Sequence, residues 1–528
     1  MSRKTDKELS TEDSAPGEEL ETIAEIGPGM LDVELIAGLP MEWAREHLAL
    51  PIRHRGEICA LLGKAEAEES LDYLASLLGG RPKGVLAAED VVLSAIRDVY
   101  TALRESPQTF LSKLDKKGLT LSRFVSSQPV VDILQTAESS PVIQLVNLIL
   151  LEAVKSGASD IHIEPFESRL RVRYRVDGLL YELAAPPKDV EAALISRLKI
   201  MARMDISEKR LPQDGVARIR VGEREIDIRV STVPVAEGER VVLRILNRGS
   251  TMLSLADLGM PADVMNRWQN LIKQPNGIIL VCGPTGSGKT TTLYGSIQLL
   301  DYNTTNILTI EDPIEYQLPN ISQIQVQPKI GMTFANGLRH ILRQDPDVIL
   351  VGEIRDLETA QIAVQSSLTG HLVFSTLHTN DTSGAVIRLM DMGVEPYLVA
   401  SSLRGVMAQR LVRRLCPKCR VQVALTADER RMLAPWKEKK SLEQKAWEPK
   451  GCAACLAGYR GRLGLYELML VDEDIFEKIR AHQSNCREIR ELSISHGMRP
   501  IWEDGLDKAM QGLTTLGEVV RTVGMVSY

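Results

Sequence analysis

One stretch, GPTGSGKT at Gly283–Thr290, constrains the chain more than any other. It fits G-x-x-x-x-G-K-[ST] at every position, follows the apolar run GIILVC and precedes the helix-compatible KTTTLYGSIQLL. That context demands a strand, a tight loop and a helix in succession. Glycines let successive backbone N–H groups turn toward one anion, and the start of the helix adds its positive end. The phosphates of a nucleotide are therefore assigned to Gly283, Pro284, Thr285, Gly286, Ser287, Gly288, Lys289, Thr290 and Thr291. Lys289 is placed to reach the β- and γ-phosphates, and Thr290 to offer its hydroxyl to Mg²⁺. The loop by itself does not choose between ATP and GTP.

A phosphate loop of this kind needs a parallel sheet. The runs NILTIED, DVILVGE and HLVFSTLH alternate with helical segments, as expected of strands covered on both faces. DVILVGE ends at Glu353, where such folds hold Mg²⁺, although Gly352-Glu353 replaces the usual aspartate. TIEDPIEY places Glu311, Asp312 and Glu315 at another strand end, and parallel sheets bind ligands outside those ends. Carboxylates from two ends are expected to converge on one phosphate and one water. His371 and His378 flank a strand. A structural hydrogen-bonding role suits His371 better, and a γ-phosphate-sensing role suits His378.

Elsewhere the 528 residues read as several domains. Residues 1–30 form an acidic tail expected to be disordered. Residues 31–105 carry helical spacing in MEWAREHLALPI, ALLGKAEAEESLDYLASLLGG and LAAEDVVLSAIRDVY, which suggests a small helical domain, in the plainest reading an adaptor without chemistry. A linker, 106–138, leads to an α+β domain, 139–250, whose alternating strands are rich in arginine and whose Asp177-Gly178 pair fits a hairpin. The nucleotide-binding domain is expected at 251–411, a cysteine-bearing subdomain at 412–470 and a helical end at 471–528, with Thr515-x-x-Glu518 as a capping box. The net charge of −7 argues against a large basic footprint for nucleic acid. The best apolar run, VIQLVNLILLEAV, is interrupted by Gln144, Asn147 and Glu152, so any membrane role is expected to go through partners.

Four of the seven cysteines form two C-x-x-C pairs, Cys416/Cys419 and Cys452/Cys455. MSRKTDKELSTEDSAPGEEL lacks the apolar core of a signal peptide, which points to a reducing compartment and away from disulfides. A four-thiolate Zn²⁺ site is the best explanation, ahead of a redox pair or unligated cysteines, and it would be structural because no position is left open. Cys59, Cys282 and Cys486 read as ordinary small residues.

In order along the chain, GASDIHIEPFE, EKRLPQDG, GERVVLRIL, GPTGSGKTTTLYG, TIEDPIEYQL, LRQDPDVILVGEIRDLETA and TGHLVFSTLHTND resemble the secretion ATPases of the type II secretion and type IV pilus superfamily. DIRVSTVP, IEDPIEYQL and GHLVFSTLHTND are closer to the type II secretion branch. The resemblance implies a multidomain α/β fold: a RecA-like motor domain preceded by an α+β domain and a helical amino-terminal domain, with a zinc subdomain. It implies a cytoplasmic homohexamer that hydrolyses ATP with Mg²⁺ and drives pseudopilus assembly at the inner membrane. Glu315 activates water in such enzymes, Glu353 serves Mg²⁺, and His378 belongs to the histidine box. Arg210, Arg229 and Arg244 of the preceding domain face the triphosphate. After LPQDG the family usually has arginine, but Val216 stands here, and Arg218, two places on, keeps the same side of a strand. Implied partners are an inner-membrane platform protein and the cytoplasmic domain of a membrane anchor, with peripheral membrane association through them and no direct contact with nucleic acid. Pilus assembly, nucleic-acid translocation and a non-enzymatic nucleotide-binding scaffold are the alternatives.

Overall fold

The computed structural model describes residues 20–27, 29–36, 38–64, 68–102, 106–117, 131–132, 140–221, 224–247, 254–433, 445–481 and 485–524. It divides into two units, Met1–Val176 with Leu180–Asn247, and Asp177–Leu179 with Arg248–Tyr528. The class is mixed α/β, as expected.

In the first unit, β1 (Glu21–Thr22), β2 (Ala49–His54), β3 (Glu57–Leu62) and β4 (Lys83–Leu86) form a sheet in the order β1-β4-β3-β2. This corrects the all-helical reading of 31–105. MEWAREHLALPI starts as the helix Met41–Glu46, but its apolar end is strand β2. Leu50, Ile52, Leu61 and Leu62 are buried in β2 and β3, and short apolar runs carry no period that separates a strand from a helix. The helices Glu68–Leu78 and Glu89–Ala102 lie where their spacing puts them. Strand β1 also falls inside the segment read as a disordered tail, while residues 1–19 lie outside the described residues. The linker segment contains the helix Pro107–Lys117 and β5 (Val131–Asp132), and residues 118–130 and 133–139 lie outside the described residues.

The second sheet adds β6 (Asp160–Pro165), β7 (Leu170–Val176), β8 (Leu179–Ala184), β9 (Gln213–Val221), β10 (Arg224–Val235) and β11 (Gly238–Asn247), in the order β5-β9-β10-β11-β6-β7-β8. Along β7 the alternation is realised residue by residue: Leu170, Val172, Tyr174 and Val176 are buried, and the arginines between them lie on the other face. Asp177 and Gly178 both take positive φ, +49° and +87°, as a two-residue hairpin requires. The helix Pro141–Lys155 holds the best apolar run, with even Asn147 buried, and no helix among the described residues is long and apolar enough to cross a membrane.

The arginine-rich face is more than a solvated surface. Glu164 draws in Arg171 at 3.1 Å, Arg173 at 2.8 Å and Arg240 at 2.9 Å. Burial alone raises the pKa of Glu164, but the hydrogen bond from Arg173 and the charges around it bring the carboxyl below its usual range. Asp160 likewise takes Arg244 at 2.9 Å.

The second unit is built on β12 (Gly277–Cys282), β13 (Ile307–Glu311), β14 (Ser322–Gln325), β15 (Val348–Val351), β16 (Leu372–Leu377) and β17 (Leu403–Leu415). After the small pair β18 (Arg420–Ala424) and β19 (Lys445–Pro449), β20 (Tyr459–Leu470) joins the main sheet, giving the order β14-β13-β15-β16-β12-β17-β20. The pairings are parallel except β17 with β20. In β12, Ile278, Leu280 and Cys282 enter one core and Ile279 and Val281 the other. That division is why the run is apolar without alternation. Because β20 pairs with β17, Tyr459–Leu470 belongs to the motor sheet, and the cysteine-bearing segment is an insertion between the two strands.

Helices Glu473–Arg480, Cys486–Ser495, Ile501–Met510 and Leu516–Val523 end the described chain. Thr515 caps the last by accepting from the Glu518 amide at 3.1 Å, but the Glu518 carboxylate does not close the box: it pairs with Arg413 and Arg521, each at 2.7 Å. Burial raises the pKa of Glu518, yet the hydrogen bonds from Arg521 and Arg413 outweigh it and bring it down to about 2. The unfolded carboxyl titrates at about 4.3, so the contribution to stability is complete above that value and is lost as pH falls toward the folded pKa. Glu518→Gln is expected to cost about 2–3 kcal/mol at neutral pH, and progressively less under acid. Urea unfolding as a function of pH checks this; a constant difference down to the most acidic conditions contradicts it.

Candidate active site

After β12 the backbone turns through Gly283–Gly288 into the helix Lys289–Ile297. At Gly283, φ is +154° and a Cβ would stand 2.5 Å from both the Gln409 carbonyl oxygen and Ser287 Oγ. At Gly288, φ is +86° and a Cβ would stand 2.9 Å from Gln409 Nε2. These two positions therefore require glycine for both conformation and space. Pro284, Thr285 and Gly286 are exposed, whereas Ser287 is buried. Lys289 folds over the loop, its Nζ donating to the carbonyls of Gly283 at 2.8 Å and Pro284 at 3.2 Å. Burial lowers the Lys289 pKa; the Glu353 carboxylate opposes that shift and the Arg410 guanidinium reinforces it.

Glu353 and His378 follow β15 and β16, which are neighbours in the sheet, and β16 borders β12. The registers Val351↔Ser375 and Leu377↔Cys282 bring the three strand ends together. Glu353 Oε2 lies 3.2 Å from His378 Nε2, and its other oxygen contacts Arg355. Asp312 acts electrostatically on Arg355, so the segment after β13 reaches the same neighbourhood. Its acidic residues separate, however: Asp312 and Glu315 are exposed, whereas Glu311 turns inward and is buried. His371 stands at the opposite end of β16, its Nδ1 2.8 Å from the Ser366 carbonyl oxygen.

Two side chains beside the loop escaped the sequence reading, Gln409 and Arg410 of β17. Gln409 accepts from Thr292 Oγ1 at 2.8 Å, and Arg410 is buried, bonded to the Asn380 carbonyl oxygen at 2.8 Å. Their signal was a polar pair inside the otherwise apolar GVMAQRLV.

In the first unit, Arg229 lies across from Arg244 on one side and Val216 on the other. Arg244 is paired with Asp160, and Arg210, 88% exposed, with Glu208 at 3.0 Å. Arg229 has no carboxylate partner among the described residues. Arg218 does share the face of Val216, but its guanidinium pairs with Asp227 at 3.1 Å instead of standing beside Arg229.

The four cysteines converge. Their Sγ atoms all lie within 4.8 Å of one another, with Cys416–Cys452 at 3.9 Å, Cys419–Cys455 at 3.6 Å and Cys452–Cys455 at 3.6 Å. A tetrahedron with Zn–S bonds of about 2.3 Å has edges of about 3.8 Å, so the thiol cluster fits zinc.

Residues 135–521 match the family described as Type II/IV secretion system protein, and residues 20–106 match the MshEN domain. Type II secretion system protein HxcR of Pseudomonas aeruginosa is 54% identical over 404 residues, 76% of this chain and 81% of that protein. Type II secretion system ATPase E of Vibrio cholerae is 53% identical over 391 residues, 74% of this chain and 77% of that one. Among solved structures, the ATPase DotB of Yersinia pseudotuberculosis aligns over 77% of this chain and 100% of its own, with a TM-score of 0.55 and 23% identity, a likeness of fold. The family match extends from before β6 into the last helix, and the two relatives share half or more of the aligned residues: the chain belongs to the Type II/IV secretion system protein family, on its type II secretion ATPase branch.

Proposed function

We propose that the chain hydrolyses ATP with Mg²⁺ as a homohexamer and powers type II protein secretion, driving pseudopilus assembly from the cytoplasmic face of the inner membrane. The observation that carries this reading is the meeting of the glycine loop, Glu353 and His378 at the ends of β12, β15 and β16. ATP lays its phosphates along the loop Gly283–Thr291, against the backbone N–H groups that follow Pro284, and Lys289 exchanges the carbonyls of Gly283 and Pro284 for phosphate oxygens. Thr290 and Glu353, both oxygen donors, hold Mg²⁺, which when bound neutralises charge on the phosphates. Glu315 orients the attacking water and takes its proton. His378 holds the Glu353 carboxylate in place through its Nε2. Arg229 offers an available guanidinium to the γ-phosphate, while Arg210 and Arg244 leave Glu208 and Asp160 to do the same. Zinc ties the cysteine insertion together and takes no part in hydrolysis. The amino-terminal region docks the cytoplasmic domain of a membrane anchor, and the motor acts on a membrane platform protein.

Steady-state hydrolysis by the assembled protein tests the site. Glu315→Gln is expected to lower kcat by about a hundredfold or more while ATP-analogue affinity is kept; turnover at the normal rate removes the role given to Glu315. Stimulation by the platform protein in vesicles is expected. Stimulation by DNA alone would turn the reading to a nucleic-acid translocase.

A further inference from the structure

We infer that Tyr294 is a positioning residue for this hydrolysis, locking the segment that carries Glu315 to the phosphate-loop helix through a buried junction of Tyr294, Glu311 and Gln323. The inference rests on the role proposed for Glu315.

Tyr294 belongs to the helix that begins at Lys289 and is fully buried. Its hydroxyl donates to Glu311 Oε2. Glu311 closes β13 and is 3% exposed; its Oε1 accepts from Thr309 Oγ1 at 2.6 Å and Gln323 Nε2 at 3.1 Å. No lysine or arginine pairs with Glu311 among the described residues, so neutral donors satisfy this carboxylate, the Tyr294 phenol among them. Gln323, on β14, bonds on both sides of the junction. Its Nε2 also donates to the Tyr316 carbonyl oxygen at 3.3 Å and to the Tyr294 hydroxyl at 3.3 Å, and its Oε1 accepts from the Leu318 amide at 2.6 Å. The Tyr316 ring meets Tyr294 edge-on, 4.7 Å between centroids at 84°. The Glu315 backbone amide also faces the phenol. Glu315 itself is exposed. Its position is therefore set by the anchored residues around it, and those anchors end on the helix that carries Lys289 and Thr290.

Displacing a catalytic group by about 1 Å costs up to about a hundredfold in rate. Tyr294→Phe keeps the ring and its edge-on contact but removes the hydroxyl. In the full chain, kcat for ATP is expected to fall by about tenfold or more, with KM changed by less than about threefold. In the Glu315→Gln background the same substitution is expected to add no further loss. Gln323→Met, which releases Tyr316 and Leu318 and removes the amide's bonds to Glu311 and the phenol but leaves the Tyr294 hydroxyl on Glu311, is expected to repeat the pattern and serves if Tyr294→Phe fails to fold. A purely structural role lowers Tm without this kcat-specific, non-additive signature. Unchanged kcat in the folded variants, or equal losses with and without Glu315, overturns the inference while leaving Glu315 in its role if Glu315→Gln is inactive. Normal turnover in Glu315→Gln overturns both.

Discussion

Lys289→Ala is expected to lower ATP turnover by about 10²–10³-fold or more, the scale of losing one preorganised charge from a phosphoryl-transfer site. The ammonium is buried, and burial has already lowered its pKa, so little water screens it from a phosphate. Its hydrogen bonds go to two loop carbonyls, Gly283 and Pro284, and not to a carboxylate. Exchanging them for phosphate oxygens therefore breaks no ion pair and adds a charge-assisted contact. The loop itself does not depend on the lysine: its shape comes from the positive φ of Gly283, Gly286 and Gly288 and from the closeness of Gly283 and Gly288 to Gln409. Thermal stability is accordingly expected to change little, which separates lost chemistry from lost fold. A coupled-enzyme ATPase assay with a thermal melt on the same preparation decides; turnover within tenfold of the unsubstituted protein contradicts the assignment.

Cys416→Ser is expected to release zinc and destabilise the second unit by an amount on the order of several kcal/mol. Cys416 is buried at the end of β17, its amide donating to the Gly458 carbonyl oxygen at 2.9 Å, so the cluster joins the two ends of the insertion where they leave and rejoin the sheet. With four protein thiolates the metal has no open position. Loss of zinc should therefore loosen β18 and β19, seen as faster hydrogen exchange there, while ATP affinity is retained. Metal analysis should fall from about one zinc per chain to none. A folded wild-type protein without zinc, and with stability unaltered by the substitution, contradicts this.

The legible parts of the fold were those whose cause is local or repeated. Strands β12, β13, β15 and β16 stood out because burial on both faces makes a short, continuous apolar run between turn signals. Strands β2 and β3 were missed because equally apolar runs sat beside helical periodicity, and only pairing with each other and with β4 distinguishes them. Strands β17 and β20 were missed for a related reason. Their partners are each other across a long insertion, and nothing local announces an antiparallel pairing of that separation.

At the candidate site the same division holds. By itself the sequence determined the phosphate loop, the two cysteine pairs and the family, since each depends on residue types at short spacing and the backbone conformations they permit. Only the tertiary structure decided which neighbours act together. Strand direction put His378 beside Glu353 and His371 at the far end; packing on both faces of β13 buried Glu311 at its end, and the loop that follows left Glu315 outside; cross-strand register gave Arg218 to Asp227; and the pairing of β17 with β20 brought Cys416 to the cysteines of the second pair. A spacing of a few residues is a property of one stretch of backbone, whereas convergence depends on which strands pair and in what register, and that is settled only when distant apolar faces are buried together.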